Sequence, residues 1–199
     1  MPFDYADVGG KFMDIDAQKQ EFIKLCKDNV HREGIDDLLG WLQKSDFFTA
    51  PASTKYHGSY EGGLCEHSLD VYNLAIKTAK AYELEFDAES LTIATLLHDL
   101  CKVNFYKKDK RNQKIDGQWV EVPTYSIEEK YCFGGHGSKS VFLVQQFMKL
   151  KTDEAAAINC HMGTSDGANI RDVSAAYTAF PLACVVHVAD EAAAYILKR

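Results

Sequence analysis

Histidine and aspartate side chains that could hold a metal ion recur in widely separated segments of this chain. They occur in Glu66-His67-Ser68, His98-Asp99, Gly135-His136-Gly137 with Asn159-Cys160-His161, and Ala189-Asp190-Glu191. Nitrogen and oxygen ligands without thiolates suit hydrolytic divalent metals such as Mn, Fe, Co, Ni or Zn. A protein that gathers five or six such ligands on helices usually performs metal-assisted hydrolysis. The residue types therefore say more about the chemistry than about the substrate.

Two of these carboxylates lie inside apolar runs, which strengthens the metal hypothesis. Asp99 follows Leu96-Leu97-His98, and Asp190 ends the run from Val185 to Ala189. A buried carboxylate must be neutralised by a cation or by several hydrogen bonds. His67, taken alone, reads more readily as a hydrogen-bonded core histidine. One shared metal site explains the whole group with the fewest assumptions.

The order His67, then His98-Asp99, then Asp190 resembles the HD superfamily of metal-dependent phosphohydrolases. The segments Gly62–Leu69, Leu97–Lys102 and Gly135–Ser140 resemble a bacterial and phage branch of it, related to the HD domain of certain 3′–5′ exoribonucleases. The resemblance extends from about His57 to Tyr195, roughly two-thirds of the chain. It implies an all-α fold, an HD-domain helical bundle, and an enzyme of the phosphohydrolase class.

The resemblance also implies a ligand set. A first ion would be bound by His67, His98, Asp99 and Asp190, and a second by His136 and His161 with Asp99 bridging. In the alternative reading one ion binds and the two extra histidines contact phosphate. The expected cofactor is one or two divalent transition-metal ions (Mn, Fe, Co, Ni or Zn), which would polarise a phosphoryl oxygen and activate water. The catalytic residues would be Asp99 and Lys102.

Five residues are candidates for contacting the substrate: His57, Lys102, Ser138, Lys139 and Arg171. Lys102 matches a lysine that many relatives aim at substrate phosphate, although a solvated lysine at a helix end is equally plausible. Ser138 and Lys139 follow a predicted helix start, where backbone N–H groups favour anions. Ser138 could equally be an N-cap, and Arg171 could be merely exposed. His57 matches a position that is often histidine in the branch.

Four further features have plainer interpretations that we favour. Cys101 stands where many relatives have glycine, and we expect a packed core cysteine rather than a thiol at the metals. His187 is expected to hydrogen-bond near the site rather than to bind metal. Trp119 could stack on a base but is expected to be packed. The basic run Lys107-Lys108-Asp109-Lys110-Arg111 is expected to be a charged hairpin tip.

The periodicity predicts mostly helix and a single domain, 1–199. Its parts are N-terminal helices in 1–50, a metal-binding core over 57–195 and a β-hairpin insertion over 103–125. Asp116-Gly117 is the hairpin turn signal, and Asp87 is a plausible N-cap. The predicted helices cover about 16–30, 34–46, 64–83, 88–101, 137–150, 153–162 and 181–197, and 163–173 reads as a loop.

Composition limits the partners and the compartment. The 199 residues are 46% hydrophobic and 26% charged, with a net charge of −7, so nothing draws the whole molecule to polyanions. No apolar run approaches 18 residues, and the first residues do not resemble a signal peptide. Six scattered cysteines without a C-x-x-C pair predict free thiols in a cytoplasmic protein. Oligomeric state is left open.

Three functions remain compatible with the sequence. The favoured one is cleavage of a phosphoester in a small phosphorylated compound, with a nucleotide as the expected substrate. The second is a nuclease acting on single-stranded ends, for which no separate nucleic-acid-binding module is visible. The third is a metal-binding sensor that has lost catalysis, although all the ligands are present.

Overall fold

A bundle of eight α-helices with one β-hairpin makes up the part of the chain that the computed structural model describes, residues 14–129 and 134–197. The predicted class, all-α with a hairpin insertion, is confirmed. The helices are α1 (Ile15–Asn29), α2 (Ile35–Lys44), α3 (Gly63–Ala81), α4 (Ala88–Leu96), α5 (His136–Val144), α6 (Thr152–Cys160), α7 (Ile170–Ala179) and α8 (Pro181–Ala192). A 3₁₀ turn covers Leu100–Lys102, and a π-helical turn, Ala193–Leu197, follows α8.

Helices α3, α4, α6 and α8 contact one another and form the centre of the bundle. Their inward residues, among them Leu64, Leu96 and Ile158, are fully buried. The apolar stripes of α1 and α2 extend the same core through Phe22 and Leu38. The metal-ligand candidates therefore lie on a rigid scaffold.

The helix before the HD pair is shorter than predicted. Asp87 caps α4 as predicted, since its carboxylate accepts from the Ser90 backbone N–H at 3.3 Å. However, α4 ends at Leu96 rather than near residue 101. The prediction that His98 and Asp99 lie on a helix is wrong: both occupy the turn between α4 and the 3₁₀ turn. A sharp turn lets the two adjacent side chains point into one site.

The hairpin begins and ends two to three residues later than predicted, and it is more polar than the pattern indicated. Strands β1 (Tyr106–Ile115) and β2 (Gln118–Ile127) pair in continuous antiparallel register. Asp116 and Gly117 have φ values of 50° and 85°, as a two-residue primed turn requires. The charged stretch that was predicted to be the hairpin tip lies in the first half of β1, away from the turn. Trp119 is 72% exposed, so the expectation of a packed tryptophan is wrong.

Helix α7 was not predicted. The predicted loop 163–173 ends at Asn169, whose side-chain oxygen caps α7 by accepting from the Arg171 N–H at 2.9 Å. The helix is short and largely exposed, with Val173 as its buried residue. Sequence patterning detects such helices poorly.

Two further expectations concern cysteines and membranes. The five cysteines within the described residues, all but Cys132, are free thiols as predicted, while Cys132 lies outside them. Over the same residues, no single helix is long and apolar enough to cross a bilayer. Helix α7 and the segment Pro181–Leu197 reach that length only together, across a bend of 115°.

Candidate metal centre

Three elements bring nitrogen and oxygen ligands to one buried point. His67 comes from α3, His98 from the turn after α4, and Asp190 from α8. The Nε2 atom of His67 lies 2.9 Å from Asp190 Oδ1 and 3.3 Å from His98 Nε2. All three side chains are at most 9% exposed. The atoms are close enough for one metal ion to contact all of them.

Asp99 lies between two groups of histidines and faces a different group with each oxygen. Its Oδ2 atom is 3.5 Å from His98 Nε2 and 3.7 Å from His67 Nε2. Its Oδ1 atom is 3.6 Å from Nε2 of His161, the residue that follows α6. This arrangement is what a carboxylate shared between two ions requires.

The hydrogen bonds of the two most buried imidazoles fix their tautomers. His98 Nδ1 lies 2.7 Å from the Thr95 carbonyl oxygen, and His161 Nδ1 lies 2.7 Å from that of Ile158. A carbonyl only accepts, so each neutral ring carries its proton on Nδ1 and a lone pair on Nε2. These lone pairs face Asp99, and His161 Nε2 has no hydrogen-bond partner among the described residues. The donor set therefore fits a cation, which would turn these repulsive contacts into ligand bonds.

The remaining ligand candidate, His136, begins α5 on the other side of Asp99. A ring nitrogen of His136, an oxygen of Asp99 and the sulfur of Cys101 all lie within 4.8 Å of one another. Its Nδ1 atom is buried and has no hydrogen-bond partner in residues 14–129 and 134–197. The six ligand candidates named from the sequence thus lie in three neighbouring groups that share His98 and Asp99. The structure also adds Cys101, for which the sequence pattern predicts a role in core packing.

Charge is concentrated in this centre even without an ion. Burial alone would raise the pKa of Asp99, but the charge of the neighbouring Lys102 holds it well below its ordinary value. Burial would likewise raise the pKa of Asp190, but the hydrogen bond from His67 keeps it low. Lys102 is buried with its Nζ atom 2.6 Å from Asp99 Oδ2. Both carboxylates are therefore ionised and able to bind metal.

The centre opens into a cleft of about 550 Å³. Asp99, Lys102, His136 and Asp190 form its floor, and its walls are mainly apolar and aromatic. The wall residues include Tyr56, Phe105, Tyr106, Met162 and Tyr195. Tyr56 and Tyr195 are 73% and 67% exposed at the mouth. A ligand with one anionic end and one planar apolar end would match this shape.

His57 also lines the cleft, where its ring centroid lies 4.7 Å from that of His67. Burial, with the charges of His67 and Lys102, lowers the pKa of His57 to about 4. Its Nε2 atom has no hydrogen-bond partner among the residues described. A neutral imidazole with a free nitrogen is suited to receive a hydrogen bond from a ligand or to donate one.

The other substrate candidates lie elsewhere. Ser138 donates to Asn159 Oδ1 at 3.0 Å, and Lys139 Nζ lies 2.9 Å from Glu129 Oε1 and over the Phe105 ring. Neither lines the cleft. Arg171 lines a separate, open surface pocket on α7. His187, expected near Asp190, has Nδ1 2.6 Å from the His161 carbonyl oxygen and so helps to hold the turn after α6.

A helical bundle with paired imidazoles and carboxylates at its centre defines a metal-binding domain of the HD type. The family model described as "HD domain" matches residues 64–195, and the chain belongs to this family. The resemblance to the HD superfamily that His67, His98-Asp99 and Asp190 indicated is confirmed.

Two curated relatives share part of the domain. The chain is 38% identical over 88 residues to dihydroneopterin 2′,3′-cyclic phosphate phosphodiesterase from Methanocaldococcus jannaschii, covering 41% of this chain and 35% of that protein. The chain is also 29% identical over 109 residues to ribonuclease Y from Mycoplasmoides gallisepticum, covering 55% of this chain and 16% of that protein. The similarity thus spans about a third or less of each relative. No solved structure gives a significant match.

Proposed function

We propose that this HD domain protein is a metal-dependent phosphohydrolase that cleaves a phosphoester of a small phosphorylated compound, with a nucleotide as its expected substrate. The observation that carries the proposal is the centre around Asp99. Buried imidazole lone pairs and ionised carboxylates converge there at the floor of a cleft large enough for a nucleotide. The first relative, named as a phosphodiesterase of a small cyclic phosphate, supports the same class of reaction.

His67, His98, Asp99 and Asp190 would hold one divalent ion, and Asp99, His136 and His161 would hold a second. Bound metal would polarise a phosphoryl oxygen and lower the pKa of an attacking water toward about 7. The domain boundaries, the cytoplasmic location and the number of ions stay predictions.

Lys102 is proposed to position and neutralise the substrate phosphate. Burial alone would lower the pKa of Lys102, but the Asp99 charge raises it above its ordinary value, so the ammonium stays charged. With Asp99 neutralised by metal, the Lys102 ammonium becomes available to a phosphate oxygen. That oxygen would lie on the floor of the cleft, because both residues line it. Lys102 is thus a proposed catalytic residue together with Asp99.

The walls of the cleft support a substrate with a planar apolar part. Tyr56 and Tyr195 stand exposed at its mouth, and Phe105 and Tyr106 lie deeper. Aromatic side chains stack on flat rings and contribute about 1–3 kcal/mol per base in nucleic-acid sites. His57 would form a hydrogen bond with a polar edge of the substrate's planar ring or with a sugar hydroxyl. Ser138, Lys139 and Arg171 lie outside the cleft and are not needed for a compound of this size.

A nuclease remains the second candidate because of two observations. The second relative is named as a ribonuclease, and strand β1 carries Lys107, Lys108, Lys110 and Arg111 on an exposed hairpin. The acidic net charge of −7 and the limited size of the cleft favour the small substrate.

A substrate panel tests the proposal. The protein would be loaded with Mn²⁺, Co²⁺, Ni²⁺ or Zn²⁺ and given three kinds of substrate. Nucleoside 3′- and 5′-monophosphates would be assayed for release of phosphate and nucleoside, 2′,3′-cyclic monophosphates for ring opening to the 2′- or 3′-monophosphate, and single-stranded RNA for release of mononucleotides. We expect turnover of at least one monophosphate class, abolished by chelation and by Asp99→Ala. The exposed variant Lys24→Ala is the control and should turn over normally. Hydrolysis of RNA alone would promote the nuclease, and no metal binding would refute both.

A further inference from the structure

A thiol faces the same oxygen of Asp99 that His161 faces. The sulfur of Cys101 lies 3.6 Å from Asp99 Oδ1, and His161 Nε2 lies 3.6 Å from the same atom. The Cys101 sulfur, an Asp99 oxygen and a His136 ring nitrogen also lie within 4.8 Å of one another. Cys101 is only 2% exposed. The second half of the centre therefore has a sulfur donor beside its nitrogen and oxygen donors.

Neighbouring elements hold this cysteine in place. It belongs to the 3₁₀ turn Leu100–Lys102, and its backbone N–H donates to Ser140 Oγ of α5 at 3.1 Å. The same helix begins with His136. The hydrogen bond to the buried Ser140 side chain thus ties the turn that carries the thiol to the helix that begins with His136.

Two further groups around Asp99 indicate that something is bound there. His161 is fully buried, and its Nε2 atom has no hydrogen-bond partner among the described residues. His136 Nδ1 is also buried and likewise has no hydrogen-bond partner among the described residues. Unsatisfied buried polar atoms cost about 1–3 kcal/mol each, so a shared ligand is the economical explanation.

The simpler role for Cys101 is a weak hydrogen bond from its S–H group to Asp99. That contact would orient the carboxylate and leave the second ion to Asp99 and the two histidines. A thiolate bound to a metal satisfies all three groups at once. The distinction is experimentally accessible because sulfur and oxygen ligands give different spectra.

We propose that Cys101 is a ligand of the second ion, together with Asp99, His136 and His161. Binding would form a metal–sulfur bond and release the thiol proton to solvent, so Cys101 gives up one proton per ion bound. Thiolates favour Zn, Fe and Co, whereas oxygen ligands suit Mn and Mg. The inference rests on the proposed metal centre and assigns its second half a preference for Zn²⁺ or Co²⁺ over Mn²⁺.

The test uses the full chain, stripped of metal and titrated with Co²⁺. A cobalt–thiolate bond gives a charge-transfer band in the near ultraviolet, which we expect for the wild type. X-ray absorption of the Zn²⁺-loaded wild type should show a sulfur neighbour at about 2.3 Å. That measurement needs no variant, so it holds even if a substitution impairs folding.

Substitutions identify the cysteine that supplies the sulfur ligand. Cys101→Ser and Cys101→Ala should lose the charge-transfer band and bind the second equivalent of Co²⁺ at least about tenfold more weakly. Cys184→Ala, a half-buried cysteine on α8, is the matched control and should keep both. Mn²⁺ affinity should change much less in Cys101→Ser than Zn²⁺ affinity does.

Three results would overturn the inference. Ions bound by nitrogen and oxygen alone would refute the thiolate and leave the proposed metal centre standing. A charge-transfer band that persists in Cys101→Ala would assign the sulfur elsewhere. A wild type that binds no ion would refute the metal centre together with the inference.

Discussion

Asp99 is the residue on which the site depends, because each of its oxygens serves a different set of partners. One oxygen faces His67, His98 and the Lys102 ammonium, and the other faces His161 and Cys101. Asp99 belongs both to the ligand group with His98 and His161 and to the group with Cys101 and His136. A change there should affect the metal, the substrate phosphate and the buried charge balance together.

Replacing Asp99 by Ala should remove hydrolysis and most metal binding. The variant leaves the Lys102 ammonium buried without its 2.6 Å partner, so a loss of stability of about 3 kcal/mol is also expected. Elemental analysis, turnover and denaturant unfolding measure the three effects. Near-normal turnover in Asp99→Ala would show that the site has been assigned wrongly.

His136→Ala should affect the second ion without affecting the first. His136 belongs to the Asp99–Cys101 group and not to the group of His67, His98 and Asp190. We expect this variant to bind one ion fewer than the wild type while the first ion stays. Elemental analysis should therefore return one ion per chain; an unchanged metal content would favour the reading in which His136 contacts phosphate.

These candidate ligands could be picked out from the sequence because a charged residue in an apolar run is conspicuous. Asp99 and Asp190 interrupt apolar runs, and such interruptions require a partner wherever the helices pack. Cys101 carried no such signal, since a cysteine in an apolar run is ordinary. Its distance to Asp99 depends on the end of α4 at Leu96, which the periodicity placed five residues too late. That is why the sequence favoured core packing of this cysteine over a position near the metal ligands.

At the scale of elements, close contact of α5 with α6 brings His136 toward His161. A Cβ atom built on Gly137 would lie 2.2 Å from the Asn159 carbonyl oxygen, so only glycine fits there. Gly137→Ala should push α5 away from α6. Overpacking of this kind costs about 1–3 kcal/mol, and we expect affinity for the second ion to fall at least about tenfold.

Gly40→Ala on α2 is the matched control, because nothing lies within 4 Å of its added Cβ. It should be neutral or slightly stabilising, by about 0.4–1 kcal/mol, and should bind metal as the wild type does. Metal titration and thermal unfolding of both variants measure the contrast. If Gly137→Ala kept full affinity for two ions, the close packing would not position the ligands.

A partly buried charge cluster joins the N-terminal helices to the bundle. Arg32, between α1 and α2, lies 2.7 Å from Glu154 Oε2 on α6 and 2.9 Å from Glu89 Oε2 on α4. Its guanidinium also donates to the Lys149 carbonyl at 2.9 Å. These contacts place α1 and α2 against the metal-binding core.

This cluster predicts a pH dependence of stability. Burial alone would raise the pKa of Glu154, but hydrogen bonds from Arg32, the Lys151 N–H and Ser90 hold it below its ordinary value. A lowered folded-state pKa contributes stability that is fully present above the unfolded pKa of about 4.3 and is lost as pH falls through the folded value. Glu154→Gln should therefore cost about 3 kcal/mol at pH 7, and this difference should shrink below about pH 4.

Urea unfolding of both proteins from pH 3 to pH 7, with chelator present to remove the metal contribution, measures this difference. Lys24→Ala removes an exposed ion pair with Asp28 and should leave the unfolding free energy nearly unchanged. A cost for Glu154→Gln that is the same at every pH would contradict the charge explanation.

At the scale of the whole molecule, the hairpin is the feature that separates the two candidate functions. Periodicity located it from the Asp116-Gly117 turn, but the polar β1 strand and the exposed Trp119 were not foreseen. A strand packed on a core alternates apolar and polar residues, and a solvated one has no such constraint. The structure leaves cations on β1 exposed, where a polymer could bind them.

Changing Lys107, Lys108, Lys110 and Arg111 together to Gln tests which function the hairpin serves. Two of these cations make exposed ion pairs, Lys108 with Glu61 at 3.7 Å and Lys110 with Glu121 at 2.6 Å. They lie outside the cleft that holds Asp99 and Lys102. If the substrate is small, we expect turnover of nucleoside monophosphates by the fourfold variant to stay within about twofold of wild type, because exposed pairs of this kind contribute little. Oligonucleotide binding should be weak in both proteins.

A nuclease would behave differently. The change would weaken binding of single-stranded RNA and lower the log–log salt slope by roughly 0.7 for each phosphate that the protein no longer neutralises. Salt-dependent RNA affinity that vanishes in the fourfold variant would therefore reverse our ranking, because the cations would then bind the backbone of the substrate itself.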